Sequence, residues 1–288
     1  MSLSRRTFIK SAAISSSVIA ASGCQTEQQI RLNPEPLKLG LMSYNLARNW
    51  DVDTIIKNCL ETGFVHVELR TTHAHGVEVT TPKQQRLEVR KKFENAGIKI
   101  SLASAYAYHW SDPQVLREHI EGTKEYTLLA QDLGAIGIRV FPNAVVEGIP
   151  EEQTFEQIGK ALAEVGQFGN DHGVDIRLCV HGRGTDYVPK IKKMIDYSQS
   201  PYIYVNWNCS PHDVVGEGLE ANFNLVKDRI RNIHMHELYD DYPYRELFRL
   251  LKKANYQGYC DAEIAESAEP VRLMHYYRTC FLALQNAV

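Results

Sequence analysis

Residues 230–264, IRNIHMHELYDDYPYRELFRLLKKANYQGYCDAEI, decide the reading of the fold. A short apolar run at 230–236 leads through a longer segment of helical pattern to Gly258 and a second short run at 259–264. That order is a strand, a crossover helix and a further strand, the unit of a parallel sheet. The same unit recurs upstream. Apolar runs at 38–42, 64–69, 98–103, 136–141, 174–180 and 202–206 predict six more strands, and amphipathic stretches such as 113–133 and 152–172 lie between them. Gly63, Gly97, Gly134, Gly173 and Gly258 stand just before strands, where a left-handed residue ends a helix. Eight strand–helix units close most naturally into a (β/α)₈ TIM barrel over residues 38–288. The rival, an open doubly wound sheet, lacks the glycine-rich phosphate loop expected after its first strand.

Composition suits this size. The chain has 288 residues, 44% hydrophobic and 23% charged, with a formal net charge of −3. A core can be buried, and no basic run outside the first residues marks a nucleic-acid-binding surface. Cysteines stand at 24, 59, 179, 209, 260 and 280, without CxxC spacing, which opposes a disulfide framework.

The N-terminus reads as an address. Ser4-Arg5-Arg6-Thr7-Phe8-Ile9-Lys10 resembles a twin-arginine export signal, and Ala21-Ser22-Gly23-Cys24 resembles a lipoprotein cleavage box. The expectation is a signal peptide over 1–23, a lipidated Cys24 that anchors the protein to a membrane, a polar tether over 24–37, and a barrel facing the periplasm. The run at 11–21 is too short and too rich in serine and alanine to span a bilayer comfortably.

Barrel enzymes place their chemistry at the C-terminal ends of the strands. Strand 2 ends with Glu68, Arg70, His73 and His75, either a substrate-binding set or a solvated loop. Strand 3 leads to Tyr106, Tyr108, His109 and Trp110, either stacking faces for a sugar ring or rim packing. Strand 4 ends in Arg139, a weaker signal. Alternation puts Cys179 and His181 on one face of strand 5, and His234 and His236 on one face of strand 7. Strand 6 runs into Trp207-Asn208-Cys209, and strand 8 carries Glu263. Histidines and a carboxylate at successive strand ends point to a metal or acid–base site.

With Gly63-Phe-Val-His-Val-Glu68, the His181 context, His234-Met-His-Glu237, Tyr244–Lys253, Tyr256-Gln-Gly-Tyr259 and Glu263 in view, the chain resembles the xylose isomerase-like TIM-barrel superfamily. That superfamily holds sugar isomerases and epimerases, inosose dehydratase and endonuclease IV. The resemblance implies one divalent ion held by glutamate, aspartate, histidine and glutamate from strands 5 to 8. His234 and Glu263 match. Cys179 stands at the strand 5 glutamate and Asn208 at the strand 6 aspartate, so Zn²⁺ or Mn²⁺ is expected to be held less firmly. His181 and His236 are substitute ligands. Cys179 is a ligand, a nucleophile or packing.

The expected activity is that of a sugar isomerase or epimerase on an unphosphorylated sugar or keto-sugar, by proton abstraction next to a carbonyl. Glu263, His234 and His181 are the catalytic candidates. Glu68, Arg70, His73, His75, His109, Trp207 and His236 are the substrate-binding candidates. A keto-glycoside lyase or dehydratase, and a carbohydrate-binding lipoprotein without catalysis, are the alternatives. The expected partners are a small sugar and, through Cys24, a membrane, with no nucleic acid.

Overall fold

The computed structural model describes residues 36–288. Eight parallel strands close into a barrel: β1 (Lys38–Met42), β2 (His66–Arg70), β3 (Lys99–Ala107), β4 (Gly137–Phe141), β5 (Asp175–Cys179), β6 (Ile203–Asn208), β7 (Ile230–Met235) and β8 (Tyr259–Ala262). β1 pairs with both β2 and β8, so the sheet has no free edge. Helices α1 (Val52–Thr62), α2 (Lys83–Ala96), α3 (Pro113–Leu133), α4 (Glu151–Asp171), α5 (Val188–Ser198), α6 (Leu219–Val226), α7 (Tyr244–Lys253) and α8 (Pro270–Asn286) follow the strands in turn. This is the (β/α)₈ architecture expected. A two-stranded ladder, Asn143–Ala144 with Gly182–Arg183, follows β4 and β5.

The helices form because their apolar spacing matches one face of a helix. In α7, Tyr244, Leu247, Phe248, Leu250 and Leu251 are buried, while Lys252 and Lys253 sit in the last turn, where the helix dipole favours cations. Asp51 and Asp112 cap α1 and α3 by accepting backbone N–H bonds from Thr54 and Gln114. Gly63, Gly97 and Gly134 take the left-handed cap position as expected. Gly258 does not. Asn255, at φ 51°, takes the left-handed turn after α7, and Gly258 is needed because a Cβ there would meet the Arg231 carbonyl oxygen at 2.3 Å.

The barrel strands turn an apolar row outward to the helices, and most of them a polar row inward. Outward rows include Leu39 and Leu41, Val67 and Leu69, Ile176 and Leu178, and Ile233 and Met235, all buried. Inward rows include His66, Glu68 and Arg70 on β2, Arg177 and Cys179 on β5, Asn206 and Asn208 on β6, Asn232 and His234 on β7, and Asp261 on β8. Gly40 makes room for this lining, since a Cβ on it would lie 1.9 Å from Asp261 Oδ1.

Cys59, Cys179, Cys209, Cys260 and Cys280 are free thiols. No helix among the described residues is long and apolar enough to cross a membrane. The export motif and Cys24 lie outside the described residues.

Candidate active site

A cavity of about 230 Å³ opens at the C-terminal ends of the strands. Pockets that bury drug-sized ligands run from roughly 300 to 1,000 Å³, so this one suits a monosaccharide-sized molecule. Its wall includes His234 and His236 from the end of β7, Glu263 just after β8, and Cys179, His181 and Asn208 from β5 and β6.

At its base His234 is held between two carboxylates. Nε2 donates to Glu68 Oε1 at 2.9 Å, and Nδ1 lies 3.3 Å from Glu263 Oε2. Glu68 is fully buried, and its Oε2 also accepts from Ser101 Oγ and Asn232 Nδ2, each at 3.0 Å. Burial alone would push the imidazole toward its neutral form. The two carboxylates outweigh burial, so the His234 pKa lies well above the ordinary histidine value. Burial would likewise raise both carboxyl groups, but the imidazolium holds Glu68 and Glu263 well below the usual carboxylate range.

The predicted binding residues divide. Arg70 and His236 line the cavity, beside His181, Asn208 and Cys179. Glu68 does not reach it, because its strand position lies one layer deeper and its oxygens are taken by His234, Ser101 and Asn232. His73 sits behind Tyr44, at a ring separation of 6.1 Å. His75 staples its loop: Nε2 donates to the Arg70 carbonyl at 2.8 Å, and Nδ1 accepts from Val77 N. His109 packs on Trp110, ring centroids 4.5 Å apart, and Trp110 in turn on His119. Tyr108 is fully buried with its hydroxyl bonded to Thr123 Oγ1, so the strand 3 aromatics are rim packing. Trp207 is a correction of the same kind. As the odd residue between inward Asn206 and Asn208, it points out of the barrel, donates to Tyr242 OH at 3.1 Å and packs on Phe223.

Among the described residues, three donors of metal-ligand type converge within 4.8 Å in one group, Glu68, His234 and Asp261, which could hold a metal ion. Protein hydrogen bonds already fill that group: His66 Nδ1 lies 2.7 Å from Asp261 Oδ1, and Asn232 Nδ2 donates to Asp261 Oδ2 at 2.8 Å. Cys179 does not join His234 and Glu263 in such a group. Its Sγ is 3.6 Å from Asn206 Nδ2, and burial pushes the thiol up to about 12, which keeps it protonated. The expected four ligands therefore reduce to a close pair, His234 Nδ1 and Glu263 Oε2. Two neighbouring ligands at about 2.1 Å from one ion stand roughly 3 Å apart, so the 3.3 Å between this pair has room for an ion in place of the shared proton. Glu68 on the far ring nitrogen is the supporting carboxylate that metal-binding histidines commonly have.

Sequence reasoning undervalued Arg139. It is 6% exposed and lines the cavity, with its guanidinium 4.0 Å from the Phe141 ring centroid. The signal was strand alternation, which puts Gly137, Arg139 and Phe141 on one face. Asp261, Asn232 and His66 were missed too, although they stand two residues before Glu263, His234 and Glu68.

The chain matches the family described as xylose isomerase-like TIM barrel over residues 56–278. It belongs to that family. No curated protein matches its sequence. Solved structures share its fold at low identity. An apo 3-keto-D-glucoside 4-epimerase from E. coli superposes with a TM-score of 0.72 at 14% identity, covering 87% of this chain and 99% of that one. A D-psicose 3-epimerase with D-tagatose from Clostridium cellulolyticum gives 0.72 at 12%, covering 88% and 99%. The IolI protein with a bound zinc atom gives 0.72 at 13%, covering 87% and 99%.

Proposed function

We propose that this family member is an exported, Cys24-anchored sugar isomerase or epimerase-type enzyme that moves a proton next to the carbonyl of an unphosphorylated keto-sugar. The observation that carries the reading is the Glu68–His234–Glu263 chain at the base of a monosaccharide-sized cavity. The relatives in fold that act on keto-sugars support it.

Glu263 is an ionised carboxylate whose basicity is suppressed while His234 bonds to it. A substrate carbonyl oxygen that takes the His234 Nδ1 proton as its hydrogen-bond donor frees Glu263 from that partner and restores its basicity. Glu263 then accepts the proton from the adjacent carbon. The C–H electron pair becomes the enediolate double bond, and the charge on oxygen rests against the imidazolium. Return of that proton to the former carbonyl carbon, with the enediolate hydroxyl proton passing to the former carbonyl oxygen, completes an isomerisation with one base. Among the described residues Glu263 is the only carboxylate lining the cavity, so a pair of opposed carboxylates is not available for epimerisation; His181 or His236 would have to serve the other face. His234 Nδ1 and Glu263 Oε2 would hold a Zn²⁺ or Mn²⁺ ion in place of the Nδ1 proton, and the ion would then supply the polarisation of the carbonyl that the imidazolium otherwise gives.

The same shortage of carboxylates favours a second reading, a carbohydrate-binding lipoprotein without catalysis. Incubating the protein with a panel of ketoses and keto-glycosides in D₂O, with and without added Zn²⁺ or Mn²⁺, separates them by NMR. Deuterium entering the carbon next to the carbonyl, and lost in Glu263→Gln, supports proton transfer. Release of the glycosidic substituent identifies a lyase. Binding without exchange leaves the binding protein.

A further inference from the structure

The cavity is polar in an asymmetric way. His234 and Glu263 come from β7 and the end of β8. Arg70 and Arg139 come from β2 and β4, strands on the other side of the barrel. Arg70 stands in register with Ala103 on β3, and Ala103 with Arg139, so the two arginines leave the sheet at one level, two strands and about 10 Å apart. The residue between them is an alanine, too small to fill the space.

Neither arginine forms a salt bridge with a carboxylate among the described residues. Arg70 donates through Nη1 to the Thr71 carbonyl and the Thr72 hydroxyl and lies over the Tyr44 ring, its Cζ 5.1 Å from the centroid. Arg139 donates through Nη2 to the Ser104 carbonyl at 3.1 Å, while its buried Nε has no partner. Phe141 covers one face of the Arg139 guanidinium and itself packs against His181, at 5.1 Å between rings. Arg139 is thus a fixed, dry fork with unused donors on the cavity wall. A buried charge without a partner is costly, and an arginine fork is the geometry that matches a carboxylate in two parallel hydrogen bonds.

The charges agree. The one carboxylate of the lining, Glu263, is engaged by His234, and positions 179 and 208 carry a neutral thiol and a neutral amide. Arg139 shares the charge field of Glu68 and Glu263, but neither arginine has a carboxylate in direct contact among the described residues, so the hydrogen-bonding forks of both are left to the ligand.

Resting on the isomerase reading above, we infer that the substrate is a sugar acid, with its carboxylate bound between Arg139 and Arg70 and its carbonyl end at His234 and Glu263. A phosphate ester would use the same cations. It is the less suited ligand here, because the cavity is small and no glycine-rich cradle supplies the backbone N–H groups that phosphates usually take.

The test is calorimetric titration of the full chain with three matched ligand sets: aldonates and uronates, the corresponding neutral alditols and sugars, and the corresponding 6-phosphates. At least one acid is expected to bind ten times or more tightly than its neutral counterpart and than its phosphate. In Arg139→Met the acid-to-neutral ratio falls to about one. Arg70→Gln, a half-buried rim position that does not threaten folding, lowers it at least threefold. Equal binding of acid and neutral ligand, a preference for the phosphate, or a ratio unchanged in both variants overturns the inference. The last outcome would mean that Arg139 only balances Glu68 and Glu263. Deuterium exchange into a neutral ketose would then leave the isomerase reading standing. Acid-selective binding with no exchange into any keto-acid would instead remove proton transfer and keep the anion site.

Discussion

His234 Nε2 lies 2.9 Å from Glu68 Oε1, with both side chains sealed from solvent, so a ring at the base of the cavity is oriented by a carboxylate outside the cavity lining. Glu68 is a positioning residue. It fixes which way the ring faces, leaves Nδ1 as the nitrogen aimed at the cavity, and stabilises the imidazolium that the proposed isomerisation uses.

Glu68→Gln should therefore act through His234. It removes one partner of a buried charge pair, a change that typically costs about 3–5 kcal/mol. Chemical denaturation measures that loss. Steady-state kinetics should show kcat falling with KM little changed, because the altered group supports the transition state and not the ligand.

Glu263→Gln should leave the fold intact, since Glu263 sits on the cavity surface at the end of β8. General-base removal is worth about 10²–10⁴ in rate, and solvent-deuterium exchange is the direct readout. Retained exchange would assign the base to His181 or His236.

The metal pair predicts one equivalent of Zn²⁺ per chain in elemental analysis, lost in His234→Ala. Cys179→Glu combined with Asn208→Asp restores two anionic oxygens on the cavity wall. Mn²⁺ affinity in that double variant should rise at least about tenfold, since hard ions favour carboxylate oxygen.

Asp213 predicts a pH dependence away from the cavity. Its carboxyl is buried; Oδ2 accepts from Ser210 N and Tyr242 OH, and Oδ1 has no partner. Burial outweighs these bonds and pushes its pKa up to about 7. Between the unfolded value near 3.8 and 7 the folded state binds more protons than the unfolded state, so this group's contribution is full below 3.8 and falls as pH rises through 7. Asp213→Asn should remove that slope. Relative to the parent, the variant should gain up to about 4 kcal/mol between pH 4 and pH 8, at 1.36 kcal/mol per pKa unit, read from denaturation midpoints.

Gly40→Ala places a Cβ on Asp261 Oδ1 and should cost about 3 kcal/mol, at the upper end of overpacking penalties. Combining it with Asp261→Ala should recover part of that loss, which a double-mutant cycle measures.

The barrel was legible because each unit carries its own signals. The helical period of 244–253, the caps at Asp51 and Asp112, and the glycines at 63, 97 and 134 act locally and read the same in the chain as in the fold. Alternation also placed Cys179, His181, His234 and His236 on the cavity side. The errors came where depth matters. Glu68 and Arg70 share a face of β2, yet one is sealed beneath His234 and the other is open to the ligand. Trp207 is a substrate-binding candidate by its place at the end of strand 6, yet its position between Asn206 and Asn208 turns it outward.

The sequence by itself determined the strand–helix order, the inward and outward rows, and the thiol at 179 and amide at 208 on the inward side. These follow from short-range periodicity and residue identity. Tertiary structure alone decided that Glu68 meets His234 across 166 residues, that Asp261 and Asn232 close the layer beneath, and that Arg70 and Arg139 stand level on one wall. Those relations depend on the register and closure of eight strands, which bring distant residues to one depth and which no local pattern encodes.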